Sequence, residues 1–396
     1  MPTNGSVQIR TQNKSNVLNV IKQHDRSTRA EIAELTHMTK ATISEIVSQL
    51  IHEGLVIEHD KNKSDSKAGR KGIAISFNKN ADYAISIDLG GTKIAISLFN
   101  IGLELITHKT IPTFKVSLRA QFIEKLNTAI AIFIQEAGIP TNSISVIGIA
   151  TAGIVENTTG FVLEGSPNLP QWEGFSLAGE IQDQLNIPVV VENDVRAALV
   201  GEIFKGKCKD TQSAMLIGIG TGLGSALVID GKLIRGTNNA AGEIGYMVLS
   251  REQLNQNWHN KGALETHCSG SGIEQRYYQL TNNQLSSKAI FILAEHGDFL
   301  AKSLVEELSD SLALGIINAI AIANPEKVVL YGGVCLAATQ FLERTQSIID
   351  RHTLANTRIT LELSSLGNHA PVYGMAVMAM ASAHPDIQFL PNIQLK

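Results

Sequence analysis

The sequence predicts an α/β fold in which a small winged helix-turn-helix domain precedes a larger domain of two similar lobes. Two stretches, 84–99 and 215–229, each read as a strand, a glycine-rich turn and a returning strand. Residues 16–75 read as three helices with short turns, followed by two short strands. The expected domains are residues 1–80 for the winged helix, 81–200 with 384–396 for the first lobe, and 201–383 for the second lobe.

Composition indicates an ordinary globular protein. Of the 396 residues, 44% are apolar and 18% are charged, so a sizeable core can form. No apolar run approaches the roughly 20 residues of a membrane span, and we expect a cytoplasmic protein with no membrane insertion. The cysteines have no metal-ligand spacing and are expected to be reduced thiols. They are Cys208, Cys268 and Cys335.

Charge is distributed unevenly along the chain. Residues 1–80 carry 12 Lys/Arg against 8 Asp/Glu, a net charge of +4, and the remainder carries 21 against 29, a net charge of −8. A basic segment in front of an acidic body fits a nucleic-acid-binding domain attached to a small-molecule domain. The difference is modest and decides nothing by itself.

The N-terminal segment has the pattern of a DNA-binding domain. Ser27 or Thr28 is placed to cap a second helix, and a third helix begins near Thr39 with its apolar residues on one face. In a helix-turn-helix, the polar N-terminal end of that third helix enters the major groove. A helical bundle serving only as a dimer arm is the weaker alternative. The candidate DNA contacts are Thr39, Lys40, Thr42 and Ser44.

The hairpin at 84–99 has the features of a phosphate site. Its two glycines let the backbone amides of the turn approach a phosphate closely, and an aspartate before the turn is placed to hold a metal-bound water beside it. Taken alone, the hairpin is explained equally well by a glycine turn with an ordinary Asp–Lys salt bridge. The candidate nucleotide-binding residues here are Asp88, Gly90, Gly91, Thr92 and Lys93.

The second half of the chain repeats this motif. Residues 215–229 have the same pattern, and a third glycine turn follows a buried-type strand at 328–331. A nucleotide held between two similar lobes requires two such phosphate-binding hairpins, one from each lobe. The additional candidate nucleotide-binding residues are Gly220, Thr221, Gly222, Gly332 and Gly333.

From residue 10 to the C-terminus these motifs resemble the ROK family of repressors, open reading frames and sugar kinases. The resemblance implies an actin-like, hexokinase-like fold that binds a sugar between two lobes. It is to the repressor branch, typified by the N-acetylglucosamine, glucose-responsive and xylose repressors. The basic loop between the wing strands is ordinarily a solvated segment, but it resembles a repressor element whose arginine enters a narrow minor groove. Arg70 and Lys71 are therefore further candidate DNA contacts.

The resemblance also implies the sugar contacts. Asn168 lies in a Pro-Asn-Leu loop, whereas Asn193 and Asp194 end a buried strand and open a helix. Asn193 would hold sugar hydroxyls, and Asp194 would act as the base if the protein transfers a phosphoryl group. A turn role for Asn168 and a helix-cap role for Asp194 are the structural alternatives. The other implied sugar contacts are Glu243, Tyr246 and Glu265.

One departure from the family concerns a metal. Tyr246 stands where relatives generally place a histidine that touches the sugar and ligates a structural zinc. The three cysteine ligand positions hold Gln256, Trp258 and Ala263 here. Because a thiolate site without thiolates cannot hold zinc in that way, we expect no structural zinc. The nearby histidines, expected to be surface or sugar-facing polar residues, are His259 and His267.

These observations favour a sugar-responsive transcriptional repressor that binds double-stranded operator DNA as a homodimer or homotetramer. A sugar or sugar phosphate between the lobes would release it, and no cofactor is required. The alternative is a sugar kinase that uses ATP and Mg²⁺ and carries an appended DNA-binding domain, since the glycine turns and Asp194 follow the kinase pattern. Sequestration by a phosphotransferase protein is a third hypothesis that no residue discriminates.

Overall fold

Three helices and three short strands make up the N-terminal domain in the computed structural model, which describes residues 4–59, 72–165, 169–258 and 261–395. The strands form one sheet in the order β1-β3-β2, so the predicted helix-turn-helix and the two wing strands are confirmed. The elements are α1 (Asn4–Gln23), β1 (Ser27–Thr28), α2 (Arg29–Thr36), α3 (Lys40–His52), β2 (Val56–Glu58) and β3 (Ala74–Phe77).

Side-chain caps define the ends of α2 and α3. The Thr28 side chain accepts the Glu31 N–H, and the Glu31 carboxylate accepts the Thr28 N–H at 2.7 Å, which is a complete capping box. His37 then adopts a left-handed conformation with φ 54° and ends α2. The Thr39 hydroxyl accepts the Thr42 N–H at 3.2 Å and begins α3 where the sequence predicts it.

The remainder of the described chain contains two five-stranded sheets and one three-stranded sheet. First-lobe strands are β4 (Tyr83–Leu89), β5 (Lys93–Asn100), β6 (Leu105–Pro112), β7 (Ile144–Thr151), β8 (Ile154–Glu156), β9 (Phe161–Glu164), β10 (Phe175–Ser176) and β11 (Val189–Asn193). Second-lobe strands are β12 (Ala214–Ile219), β13 (Leu223–Ile229), β14 (Lys232–Ile234), β15 (Lys327–Tyr331) and β16 (Leu361–Leu363). The further helices are α4 (Arg119–Ala137), α5 (Leu177–Leu185), α6 (Asp194–Lys205), α7 (Ala263–Cys268), α8 (Gly270–Thr281), α9 (Ser287–Glu295), α10 (Phe299–Ala323), α11 (Leu342–His352) and α12 (Ala370–Ala383).

The two large sheets have the same topology. Their strand orders are β6-β5-β4-β7-β11 and β14-β13-β12-β15-β16, in each case three antiparallel strands followed by two parallel additions. Both predicted hairpins are confirmed, with Leu89 opposite Ile94 and Ile219 opposite Leu223 at their turns. The repeated sequence motif therefore corresponds to a repeated lobe.

Helices α6 and α12 lie between the two sheets. Helix α12 contacts β4 and β7 of the first sheet, and α6 contacts β12 and β13 of the second. Gly148 on β7 makes room for α12, because an ideal Cβ there would lie 2.9 Å from Met375 Cγ. The predicted second-lobe range, 201–383, includes α12, whereas in the structure this helix packs against β4 and β7 of the first sheet.

The final residues link the N-terminal domain to the second sheet. Ser15 Oγ donates to Asp386 O at 2.6 Å, and Lys22 Nζ donates to Gln388 O at 2.8 Å, so α1 rests on this segment. Burial lowers the pKa of Lys22 to about 8. Further along, Gln394 pairs with Lys232 of β14. The C-terminal segment is thus an ordered connection between the N-terminal winged-helix domain and the second sheet.

Two glycines, Gly201 on α6 and Gly374 on α12, allow these helices to touch. Because a side chain at Gly374 would push them apart, Gly374→Ala is expected to lower the free energy of unfolding by ~1–3 kcal/mol. An ideal Cβ on Gly374 would lie 1.7 Å from Ala197 O, and one on Gly201 would lie 2.1 Å from Ala370 O. The two backbones must separate to admit a methyl group. Urea unfolding of the full chain measures the loss.

The matched control for Gly374→Ala is Gly333→Ala. No atom lies within 4 Å of an ideal Cβ on Gly333, and we expect its effect on unfolding to be within ~0.5 kcal/mol. Equal losses in the two variants would show that the helix contact is not the cause.

Candidate functional site

The carboxyl ends of the parallel strands bring two predicted site residues together. Asp88 lies near the end of β4, opposite Ala150 of β7, and Asp194 follows β11 as the first residue of α6. Asp88 is only 7% exposed. Burial and then the neighbouring Asp194 charge raise the pKa of Asp88 to about 7, while Lys93 opposes the shift. The structure therefore places Asp88, Lys93 and Asp194 in one group.

A threonine that sequence reasoning missed holds the first glycine turn. Gly90 N–H donates to Lys93 O at 3.0 Å, so this amide closes the turn. Thr113 Oγ1 donates to Gly90 O at 2.6 Å, and Thr113 N–H donates to Thr92 O at 3.1 Å. Gly91 and Thr92 remain exposed at the tip, as a phosphate-binding turn requires.

The second glycine turn is braced by α7 and α8. Gly270 N–H donates to Gly220 O at 2.8 Å, and Ser271 Oγ donates to Thr221 O at 2.7 Å. Glu265 Oε2 accepts the Leu223 N–H at 2.9 Å and would lie 2.7 Å from a Cβ on Gly222. Glu265 thus connects the predicted sugar contacts to this turn.

The third glycine turn lies beside the second. Gly332 has φ +111°, and an ideal Cβ on it would lie 2.5 Å from Ile219 O at the end of β12. A residue with a side chain is strained and obstructed there. Tyr331, which precedes this glycine, lies on the side of Asp88 and Asp194. Burial, then Asp88 and Asp194, raise the pKa of the Tyr331 hydroxyl well above its ordinary value.

Asn193, and not Asp194, caps helix α6. Asn193 Oδ1 accepts the N–H groups of Val195 and Arg196 at 3.0 and 3.1 Å, and its Nδ2 donates to Gly153 O at 3.1 Å. One N–H of this amide is left for a ligand within the described part of the chain. Burial raises the pKa of Asp194, although the Val195 N–H opposes the shift.

A buried ion network supports these two residues. Glu192, which is 0% exposed, binds Arg196 Nη1 at 3.0 Å and Arg235 Nη2 at 2.8 Å. Arg196 is 2% exposed and also donates to Asn239 O. Sequence reasoning missed the network. The signal was a charged residue at the end of a buried strand with an opposite charge four residues later, although Arg235 gives no local signal.

Glu243 and Tyr246 lie on a short turn packed against β13. Ser225 Oγ donates to Gly242 O at 2.8 Å, which fixes the residue before Glu243. Burial raises the pKa of Glu243, Arg196 opposes, and Asp194, Glu265 and Glu164 add to the rise. Burial and the charges of Glu265 and Glu243 likewise raise the pKa of the Tyr246 hydroxyl, a side chain that is 47% exposed. The structure brings Asp194, Glu243, Tyr246 and Glu265 together.

The loop expected to contact the sugar is described only in part, since Asn168 lies outside the described residues. Trp172 at the end of that loop is 2% exposed and packs between the rings of Phe122 and Phe175. Its Nε1 donates to Thr151 Oγ1 at 2.9 Å. Trp172 therefore anchors the loop in the core and presents no face to a ligand.

The predicted DNA contacts occupy the start of α3. Lys40 and Ser44 are exposed. Thr39 and Thr42 bond to each other, with 2.9 Å between their hydroxyl oxygens. Arg70 and Lys71 lie outside the described residues.

Two family profiles match this chain. The profile of the ROK family matches residues 84–382, and the profile described as winged helix-turn-helix DNA-binding matches residues 10–57. The chain belongs to the ROK family.

Relatives of two kinds align with this ROK chain. A xylose repressor of Caldicellulosiruptor bescii is 28% identical over 384 residues, covering 93% of this chain and 95% of the relative. A glucokinase of Halalkalibacterium halodurans is 29% identical, covering 74% of this chain and 93% of the relative. A solved structure described as a ROK family transcriptional regulator, homolog of the E. coli MLC protein, is 25% identical with a TM-score of 0.79 and covers 96% of this chain and 97% of that one.

Residues that do not bind zinc stand in this ROK chain at the positions where the family resemblance places the zinc ligands. Trp258 Nε1 donates to Gln253 O at 2.7 Å, and Ala263 is buried at the start of α7. Within the ranges that the structure describes, no group of three or more His, Cys, Asp or Glu side chains is arranged to hold a metal. His267 is half-buried, which lowers its pKa, and His259 lies outside the described residues.

Proposed function

We propose that this ROK protein is a sugar-responsive transcriptional repressor that leaves its operator when a sugar binds between the two lobes. The observation that carries the proposal is the extent of the alignment with a protein named xylose repressor. It covers 93% of this chain and so includes the winged helix together with both lobes.

Operator binding is assigned to the start of α3. Lys40 and Ser44 are exposed there, and Thr39 and Thr42 lie beside them. In a homodimer or homotetramer, two such helices related by a two-fold axis read a palindromic site. Arg70 and Lys71 would add minor-groove contacts from the wing.

Sugar binding is assigned to the acidic group at the start of α6. The carboxylates of Asp194, Glu243 and Glu265 accept hydrogen bonds from sugar hydroxyls, and the second N–H of Asn193 donates one. Tyr246 packs on the ring from the exposed side, and Asn168 completes the set. No cofactor and no structural zinc are required. Since the protein binds operator DNA, it is cytoplasmic.

Coupling between the two sites follows the C-terminal segment. This segment contacts α1 through Asp386 and Gln388 and contacts β14 through Gln394. Closure of the lobes around a sugar would move the second sheet, and the segment would carry that movement to the DNA-binding domains.

Homo-oligomerisation agrees with the exposed apolar residues of the second lobe. Phe299, Ile322 and Leu336 are 82%, 84% and 91% exposed. Large apolar side chains that are exposed in one chain are the kind that a subunit interface covers. Light scattering on the full chain tests the expected dimer or tetramer.

A second function, ATP-dependent sugar phosphorylation, is favoured by the intact turns. Mg²⁺-ATP would be held by Asp88, Lys93 and the three glycine turns, and Asp194 would be the base. An alignment with a protein named glucokinase covers 74% of this chain and 93% of that protein. The nucleotide-binding set would be Asp88, Gly90, Gly91, Thr92, Lys93, Gly220, Thr221, Gly222, Gly332 and Gly333.

The experiment that separates these functions combines two readouts on the full chain. DNA duplexes selected from a random pool supply the operator, and its release is measured while neutral sugars and sugar phosphates are titrated. The same mixtures with Mg²⁺-ATP are assayed for ADP. A repressor is expected to release DNA with a sugar and to produce no ADP above background.

Asp194→Ala gives the matching variant. It is expected to weaken sugar-induced DNA release by ~100-fold or more in sugar concentration while leaving DNA affinity without sugar within ~2-fold, because the two sites are separate. Steady ADP production that this variant abolishes would establish the kinase instead. DNA that no sugar releases would overturn the repressor proposal.

A further inference from the structure

Four carboxylates surround the proposed sugar site. Asp194, Glu243 and Glu265 have been described, and Glu164 at the end of β9 adds a fourth charge from an exposed position. An ideal Cβ on Gly153 would lie 2.3 Å from Glu164 O, so the Glu164 backbone is held beside the loop that Asn193 binds. Glu164 pairs with Ile154 of β8, the residue after Gly153, and the charges of Glu265 and Glu164 both raise the pKa of Glu243 and of the Tyr246 hydroxyl.

The basic groups on this side of the cleft are already neutralised in part. Arg196 and Arg235 share the single carboxylate of Glu192, which leaves one surplus positive charge. Arg196 Nη1 and Nη2 are occupied by Glu192 and Asn239. The surplus charge of Arg196 opposes the raised pKa values of Asp194 and Glu243. Apart from Asp88 and Lys93 at the first glycine turn, four carboxylates therefore face one net positive charge.

We propose that the sugar bound here carries no phosphate group, and that Glu164 is a further specificity-determining residue that disfavours phosphate esters. The inference rests on the proposed function. Hydroxyl groups of a free sugar donate hydrogen bonds to the carboxylates. A phosphate ester brings about −1.5 to −2 of charge and additional acceptors, which four carboxylates in a partly buried site repel.

Calorimetric titration of the full chain with matched pairs tests this inference. The pairs are glucose with glucose 6-phosphate and N-acetylglucosamine with its 6-phosphate, each with and without Mg²⁺. The free sugar that binds is expected to bind at least ~30-fold more tightly than its phosphate ester. Glu164→Gln is expected to narrow that ratio by ~3-fold or more, and Glu343→Gln on the surface of α11 is the control that leaves it unchanged.

The outcomes separate the inference from the proposed function. A phosphate ester that binds as tightly as the free sugar, with or without Mg²⁺, overturns the inference while the repressor proposal stands. If Glu164→Gln leaves the ratio of free-sugar to phosphate-ester affinity unchanged, Glu164 does not determine this specificity. If no free or phosphorylated sugar in a wider panel binds or releases DNA, the proposed function fails and the inference fails with it.

Discussion

Glu192→Ala is expected to lower the free energy of unfolding of the full chain by ~3–5 kcal/mol, because it removes the counter-charge of two buried guanidinium groups. Glu192 is 0% exposed, and its partners Arg196 and Arg235 are 2% and 11% exposed. A buried charge without its partner retains its desolvation cost and loses the compensating attraction. The shift of the urea-unfolding midpoint measures the loss.

An exposed ion pair in the same chain supplies the control for Glu192→Ala. Arg344 and Asp310 form a pair with two hydrogen bonds, and their side chains are 48% and 45% exposed. Asp310→Ala is expected to cost no more than ~1 kcal/mol. Similar losses in the two variants would mean that burial does not set the strength of the Glu192 network.

The position of Glu192 extends the prediction to the sugar site. Glu192 directly precedes the Asn193 cap and Asp194, so the network fixes the start of α6 from inside the fold. At a temperature where Glu192→Ala remains folded, its sugar-induced DNA release is still expected to be weaker than that of the wild type. Asp310→Ala is expected to leave that release unchanged.

The sequence predicts the two hairpins and the helix-turn-helix because their signals are local. Each hairpin needs only β-branched runs and a glycine turn, and both turns form where the glycines stand, between Leu89 and Ile94 and between Ile219 and Leu223. Thr39 caps α3 for an equally local reason, since its hydroxyl bonds the amide three residues later.

The candidate site is predictable only where strand ends meet. Asp88 lies near the end of β4 and Asp194 directly follows β11, and both strands belong to one parallel set, so their proximity follows from topology. The bond between Glu265 and the Leu223 amide joins residues far apart in sequence and depends on how α7 packs. Thr113 and Arg235 are likewise positioned by tertiary packing alone.

The cap of α6 is a detail that the sequence does not determine. Asn and Asp have nearly equal preference for the position before a helix, so the pair Asn193-Asp194 does not reveal which residue caps. In the structure Asn193 binds two helix amides and Asp194 becomes the first helical residue. Only the backbone conformation distinguishes these possibilities.

Asp88→Asn is expected to stabilise the protein at about pH 8 and to lose that advantage near about pH 4. Burial, followed by the charge of Asp194, raises the pKa of Asp88 to about 7. The folded chain then holds a proton that the unfolded chain releases above about pH 4, so wild-type stability falls as pH rises through this window. The loss reaches up to about 4 kcal/mol at about 1.36 kcal/mol for each pKa unit, and asparagine does not incur it.

The sign of this pH dependence distinguishes a buried acid from an ordinary salt-bridged aspartate. A lowered pKa would make wild-type stability fall on acidification, and Asp88→Asn would then be the less stable protein at about pH 8. Urea unfolding of both proteins at about pH 5 and pH 8 decides between the two, and a destabilised variant at the higher pH contradicts the structure. If this chain binds Mg²⁺-phosphate, the ionised Asp88 carboxylate would hold a metal-bound water, and that binding is then expected to strengthen between about pH 6 and pH 8.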